Sequence, residues 1–146
     1  NLSVGAERIR RMRKRNKVLE ELRTEQSKEA LWEAVIAFQE YKFRTYSGLV
    51  FSYSLKKGRG DNYTKELFID RRENSRSLAW SSVLLAFQNI PSIGSVVDRP
   101  KALGDIRGVT YICAMFYRFG LIDALANAKE KMESLRKDDT EQMSFA

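Results

Sequence analysis

Apolar residues along this chain change their spacing several times, and each change predicts an element. Between Glu7 and Leu22 there is no Gly or Pro, and Ile9, Met12, Leu19 and Leu22 fall near one stripe broken by Asn16. That spacing predicts a charged helix. Ser27 is placed to cap a second helix, Glu29 suits its first turn, and Leu31, Val35 and Phe38 with Trp32 and Ile36 form a wide apolar face reaching about Tyr41. From Leu49 the period becomes two: Leu49, Phe51, Tyr53 and Leu55 alternate with Val50, Ser52 and Ser54, the pattern of a strand with one buried face. Lys56 to Asn62, with Gly58 and Gly60, carries turn chemistry, and Thr64 to Asp70 resumes the alternation through Leu67 and Ile69. An antiparallel hairpin follows. Phe43 to Tyr46 reads as a further extended piece, with Gly48 at a bend.

In the second half, Asn74 and Ser75 or Ser77 can cap a helix whose body, Leu78 to Ile90, is apolar nearly all round apart from Ser81, Ser82 and Gln88. Such a helix belongs at the centre of a core. Pro91 to Gly104 reads as a loop, and Asp105 as the N-cap of a helix to Phe119 that Gly120 stops, with Val109, Ile112, Cys113, Phe116 and Phe119 on its buried face. Asp123 to Arg136 reads as a weaker charged helix, and the last ten residues as disordered. The expected fold is therefore α+β: a basic N-terminal helix, a core helix, an antiparallel β-hairpin, two further core helices packed on the hairpin, and a charged C-terminal tail. Two strands cannot stand alone, so the helices must cover them. Core patterning begins at about Leu31, which divides the chain into a basic helical arm (1–26), an α+β core domain (27–122) and a charged helical or disordered tail (123–146).

Length and composition narrow the chemistry. The 146 residues suffice for one domain with a self-sufficient core, and no apolar run approaches the ~20 residues of a membrane span. The first apolar residues lead straight into Arg8 to Lys17, so no signal-peptide stretch is expected there, and the expected location is the cytoplasm. There is no histidine, which removes the commonest general base and transition-metal ligand. Cys113 is the single cysteine, flanked by Ile112 and Ala114, and reads as a buried, inert thiol. No metal, cofactor or catalytic residue is expected, and the chain reads as a non-enzyme.

The net charge of +7 is concentrated: Arg8, Arg10, Arg11, Arg13, Lys14, Arg15 and Lys17 stand within the first 17 residues against Glu7 alone. Seven positive charges on about three helical turns would bind a polyanion by releasing its counterions. The same arm could meet an acidic protein surface, or pair through Ile9, Met12, Leu19 and Leu22 in a short coiled coil. Lys56, Lys57 and Arg59 at the hairpin tip could approach phosphates or simply keep the turn soluble. Arg107, Tyr111, Ala114 and Arg118 repeat at i, i+4, i+7 and i+11, which would set two arginines and a tyrosine along an exposed helix face. Arg71, Arg72, Asn74, Ser75, Arg76 and Ser77 precede an expected helix start, where anions are attracted, although Asp70 and Glu73 oppose a clean anion site. Asp61, Glu66, Asp70 and Glu73 form the one acidic cluster that could hold Mg²⁺, but no acid-x-lysine pattern completes a nuclease site.

The stretches FIDRRENSRSLAWSSVLLAF (Phe68 to Phe87) and RPKALGDIRGVTYICAMFYRFGLI (Arg99 to Ile122) resemble paired signatures of small uncharacterised proteins of gut Firmicutes and their mobile elements. The resemblance covers about half of the chain and implies a bacterial or mobile-element origin, with no activity and no functional residue attached.

Together these features favour a non-catalytic nucleic-acid-binding protein, with double-stranded DNA ahead of RNA, in bacterial or phage gene regulation or mobile-element maintenance. The alternative is a protein-protein interaction module, an adaptor or a phage-type antagonist of a host nucleic-acid machine, that meets an acidic surface. Neither reading involves a membrane, and both leave room for a homo-oligomer.

Overall fold

The structure, a computed structural model, describes residues 2–70 and 76–133. It is an α+β fold in which an antiparallel sheet is covered on one face by helices. A long helix α1 (Leu2–Glu25) turns through Gln26 into α2 (Lys28–Ala37), whose first turn is closed by the Ser27 hydroxyl accepting from the Ala30 amide at 3.1 Å. Strands β1 (Phe43–Arg44), β2 (Val50–Lys57), β3 (Tyr63–Asp70) and β4 (Arg76–Ala79) then form one sheet in chain order. Helix α3 (Trp80–Asn89), a short strand β5 (Val96–Val97), helix α4 (Val109–Phe119), strand β6 (Asp123–Ala124) and a last helix α5 over residues 126–133 complete the chain.

The sheet's inner face is set by side-chain alternation: Phe51, Tyr53 and Leu55 of β2, Leu67 and Ile69 of β3, and Leu78 of β4 are all buried. The ladder aligns Tyr53 with Ile69 and Leu55 with Leu67, and Leu67 in turn with Leu78. Over this face lie α2, through a 2.5 Å hydrogen bond from the Tyr53 hydroxyl to the Val35 carbonyl, and α4, through Tyr111 edge-on to Phe51. Burial pushes the Tyr53 phenol well above its ordinary value, with the nearby Arg15 charge acting in the opposite sense. The 38–43 segment supplies an aromatic hinge, where Phe38, Tyr41, Phe43 and Phe119 meet edge to face.

Several sequence expectations need correction. The sheet has four strands rather than two: Phe43–Arg44, within the extended piece expected over Phe43 to Tyr46, pairs with β2, and Arg76–Ala79 pairs antiparallel with Glu66 to Ile69. Ser77 is therefore not a helix cap: its hydroxyl donates to the Glu66 carboxylate on the neighbouring strand. The other expected cap and anion residues, Arg71, Arg72, Asn74 and Ser75, lie outside the described residues, as does Glu73. Helix α3 is not central, since Val83 and Ala86 are buried while Leu85 is 49% exposed. The central helix is α4, with all five expected core residues and also Ala114, Met115 and Tyr117 buried. It starts at Val109 rather than Asp105, after Gly108 at φ +82°, where a Cβ would come within 2.5 Å of Leu78 Cδ1. Only glycine accepts both the left-handed backbone and that approach.

Further differences concern the edges. Leu49 is 70% exposed rather than inward, because the Thr45–Leu49 turn ends before the ladder's parity takes hold at Phe51. The 91–104 segment is not simply a loop: β5 pairs in parallel with β6, Val96 against Asp123 and Val97 against Ala124, and Pro100–Leu103 forms a 3-10 turn. Asp123 and Ala124 are thus strand rather than the start of a tail helix, and residues 134–146 lie outside the described residues. Gly120 does stop α4, at φ +83°, with its amide bonded back to Tyr117 and that of Leu121 to Phe116. Cys113 is buried and free, its thiol pushed up to about 12 by burial.

The core also begins earlier than Leu31. Val18, Leu19 and Leu22 of α1 belong to the same hydrophobic cluster as the sheet and α4, and Leu22 is fully buried. The basic helix and the core domain share this element, so a boundary near residue 26 separates nothing physically.

Candidate nucleic-acid interface

Helical geometry sorts the basic residues of α1 into two groups. Positions 9, 12, 19 and 22 follow one stripe, half-buried at Ile9 and Met12 and fully packed at Leu19 and Leu22. Arg10, Arg13, Lys14 and Lys17 are spaced i, i+3, i+4 and i+7, so they share the opposite face, and all four are exposed. Arg8 and Arg11 are also exposed, but Arg8 lies in line with Met12, Arg15 and Leu22 on the side away from these four, and Arg11, at their edge, stands 3.9 Å from Glu7 in a solvated pair worth little.

Arg15 belongs to the other group. It is half-buried, its Nε donates to the Ala37 carbonyl at 3.1 Å and its Nη2 to the Gln39 carbonyl at 3.4 Å. These carbonyls end α2, where its dipole is negative and helical partners run out. The same guanidinium lies 5.4 Å from the Phe38 ring centre and 5.2 Å from that of Tyr41. Read by composition it is one more arm charge; in the fold it is the bolt between α1 and α2.

The hairpin tip carries Lys56, Lys57 and Arg59, all exposed. The ladder loses register between Leu55 and Lys57, and Arg59–Asp61 makes a 3-10 turn with Gly60 at φ +70°. One residue that sequence reasoning passed over links this tip to α1. Gln39 accepts from Arg15 through its backbone carbonyl and, through its side-chain oxygen, from the Leu55 amide at 2.9 Å. The charged helix and the charged hairpin are thereby tied through a single residue, one step before Lys56. No local pattern marks Gln39 in the sequence, because its role depends on two segments distant along the chain.

The expected stripe on the last core helix does not form as drawn. Arg107 precedes α4 and is exposed in the turn before it, Ala114 is buried, and Tyr111 is half-buried against Phe51. Arg118 is half-buried, donates from Nε to the Tyr41 hydroxyl at 2.9 Å, and lies 5.1 Å from the Tyr41 ring centre. The reason is that α4 is surrounded on most sides, so a helical repeat on it does not mark a solvent face.

Elsewhere the charge is mixed. Lys65 sits 3.6 Å from the Trp32 ring centre, over an edge-to-face pair of Trp32 and Trp80, and its pKa is lowered by desolvation with Glu33 opposing. Glu66 is engaged by Ser77 and Asp70 is exposed, and among the described residues no three Cys, Asp or Glu side chains gather as metal ligands. No described helix is long and apolar enough to cross a membrane. Compared with protein-family models, with curated proteins and with solved structures, the chain matches none.

Proposed function

We propose that this protein binds nucleic acid without catalysis, duplex DNA ahead of RNA, as a bacterial or phage regulator or mobile-element maintenance factor. In this reading Arg10, Arg13, Lys14 and Lys17 track the phosphate backbone from one helix face, with Arg11 at its edge, while Lys56, Lys57 and Arg59 add a second contact. The observation that carries it is that both exposed basic elements belong to one packed body, α1 through Val18, Leu19 and Leu22 and the hairpin through Leu55 and Leu67, with Gln39 bonded to each. A preorganised pair of contacts costs less ordering on binding than a loose arm and a separate turn. Arg15, Tyr111 and Arg118 support the surface from within rather than touching the ligand.

Fluorescence anisotropy of a labelled duplex at several salt concentrations tests this. Changing Arg10, Arg13, Lys14 and Lys17 together to Gln, which keeps helix propensity, should flatten log K against log salt by up to about 3.6, at ~0.9 per lost phosphate contact. An unchanged slope in a folded variant, or no binding by the parent at low salt, removes the proposal. A protein partner is then the reading to pursue, favoured by the exposed Leu49, Val96 and Leu125, the segments of the last two being joined by the Tyr46 hydroxyl, which bridges the Val97 carbonyl and the Leu125 amide.

A further inference from the structure

The two tryptophans of the chain meet beside the hairpin. Trp32 comes from α2 and Trp80 from the first position of α3, directly after β4. Their rings pair edge to face at 4.8 Å between centres, and both are half-buried, so part of each indole faces solvent. Lys65, in line with the buried Leu67 and Ile69 on β3, reaches across the pair: its Nζ lies 3.6 Å from the Trp32 ring centre and 5.5 Å from that of Trp80. Lys65 is exposed, and among the described residues no carboxylate stands within ion-pair distance of it; Glu33, the residue after Trp32, acts on it through space only. Tyr63, two residues back on the same side of β3, is half-buried against the core, and its cross-strand partner is Lys57. Rings and cations thus alternate from Trp80 through Lys65 and Tyr63 to the basic tip.

We propose that Trp32, Trp80 and Lys65 form a stacking site for one unpaired base of a nucleic-acid strand, whose neighbouring phosphates run along the hairpin toward Lys57. Resting on the nucleic-acid reading above, the site adds a place for a base, which the α1 face, made of cations, does not offer. A carboxylate-bearing peptide would answer Lys65 and leave the indoles unused. An apolar side chain would cover the indoles and leave an uncompensated ammonium beneath it. A nucleotide brings a flat π-face for the rings and a phosphate for the cation. Lys65 is the occupant that the base replaces. A cation–π contact at an exposed site is weaker than the stacking of a base on an aromatic ring, the lysine stem is flexible, and the displaced ammonium passes to the phosphate. A base paired inside a duplex has no free face to offer, so the site takes single-stranded ends or gaps beside a duplex held by α1.

Because both tryptophans of the chain lie here, the intrinsic fluorescence of the full-length protein reports on this site. An oligothymidylate of ~10 nucleotides should quench the emission saturably, whereas the same strand annealed to oligodeoxyadenylate should bind by anisotropy and leave the emission unmoved. Lys65→Gln, at an exposed position and expected to fold, should weaken single-strand binding and flatten log K against log salt by about 0.7, the share of one phosphate contact. Trp32→Ala should weaken single-strand binding by roughly 5- to 150-fold, and Trp32→Phe, which keeps a ring both for packing and for stacking, should recover most of that loss. Emission quenched as strongly by the duplex, or by oligoglutamate of equal charge, would mean that the site reads charge rather than a base, and overturns the proposal. An affinity and a salt slope unchanged in Lys65→Gln overturn it as well. Binding seen by anisotropy with the emission unmoved by single strand and duplex alike overturns this site while leaving the proposed function standing, and no binding to either strand form overturns both.

Discussion

Replacing Arg15 with alanine separates a helix that is docked from one that is appended. The change removes two charge-assisted hydrogen bonds to the end of α2 and a guanidinium packed beside Phe38 and Tyr41. Hydrogen bonds to charged groups contribute about 1.5–3 kcal/mol each, but the bond at 3.4 Å is weak and the freed carbonyls can turn to water. Cation–π contact adds about 0.5–2 kcal/mol. Because these contributions overlap in one side chain and Arg15 is only half-buried, a net loss of roughly 2–3 kcal/mol is expected. Urea unfolding followed by circular dichroism measures it, and for a chain of this size the midpoint temperature should fall by roughly 4–12 °C. Lys14→Ala, one residue away and exposed, is the control and should stay within about 0.5 kcal/mol. Arg15→Lys keeps the charge without the fork and should fall between the two. If Arg15→Ala costs no more than Lys14→Ala, Arg15 is not the bolt between α1 and α2.

Two further outcomes follow from the backbone and from burial. Gly108→Ala meets both a positive φ of +82° and Leu78 Cδ1 at 2.5 Å, whereas Gly120→Ala meets a φ of +83° and nothing within 4 Å. Strain of about 1–3 kcal/mol is expected at both, so thermal melts should show Gly108→Ala clearly the worse, and equal losses would mean that α4 does not press on β4 as described. The Cys113 thiol, raised to about 12 by burial, keeps its proton in the folded state while the unfolded chain releases it near the ordinary thiol value of 9.0. The folded form then binds more protons, so stability should decline as pH rises from about 9 toward 12, by at most about 1.4 kcal/mol per pH unit for this group. Tyr53 adds to the decline above the ordinary phenol value of 10.0. Stability measured from pH 8 to 10 should therefore fall less steeply in Cys113→Ala than in the parent, and parallel curves would show that the thiol is not buried in solution.

What the sequence determined by itself was the set of periods. Alternation around Phe51, Tyr53, Leu55, Leu67 and Ile69, and helical spacing of Val109, Ile112, Cys113, Phe116 and Phe119, specified which faces turn inward, and all ten residues are buried. Ser27 and Gly120 marked their helix ends because capping and left-handed backbone are local chemistry. The α+β class follows from those local signals. Tertiary structure decided what local patterns cannot encode. Arg76–Ala79 is a strand because β3 offers it a ladder, and four residues of such mixed character carry no period of their own. The start of α4 falls at Gly108 rather than at the better-looking cap Asp105 because Leu78, thirty residues earlier, comes up against that glycine. The candidate interface divides in the same way. Exposure of Arg10, Arg13, Lys14 and Lys17 follows from helical spacing opposite an apolar stripe. The bolt at Arg15, the link at Gln39 and the indole pair under Lys65 depend on which carbonyls, amides and rings arrive from distant segments. A charged side chain's role is set by its desolvation and its partners, and both are properties of the packed chain rather than of its neighbours in sequence.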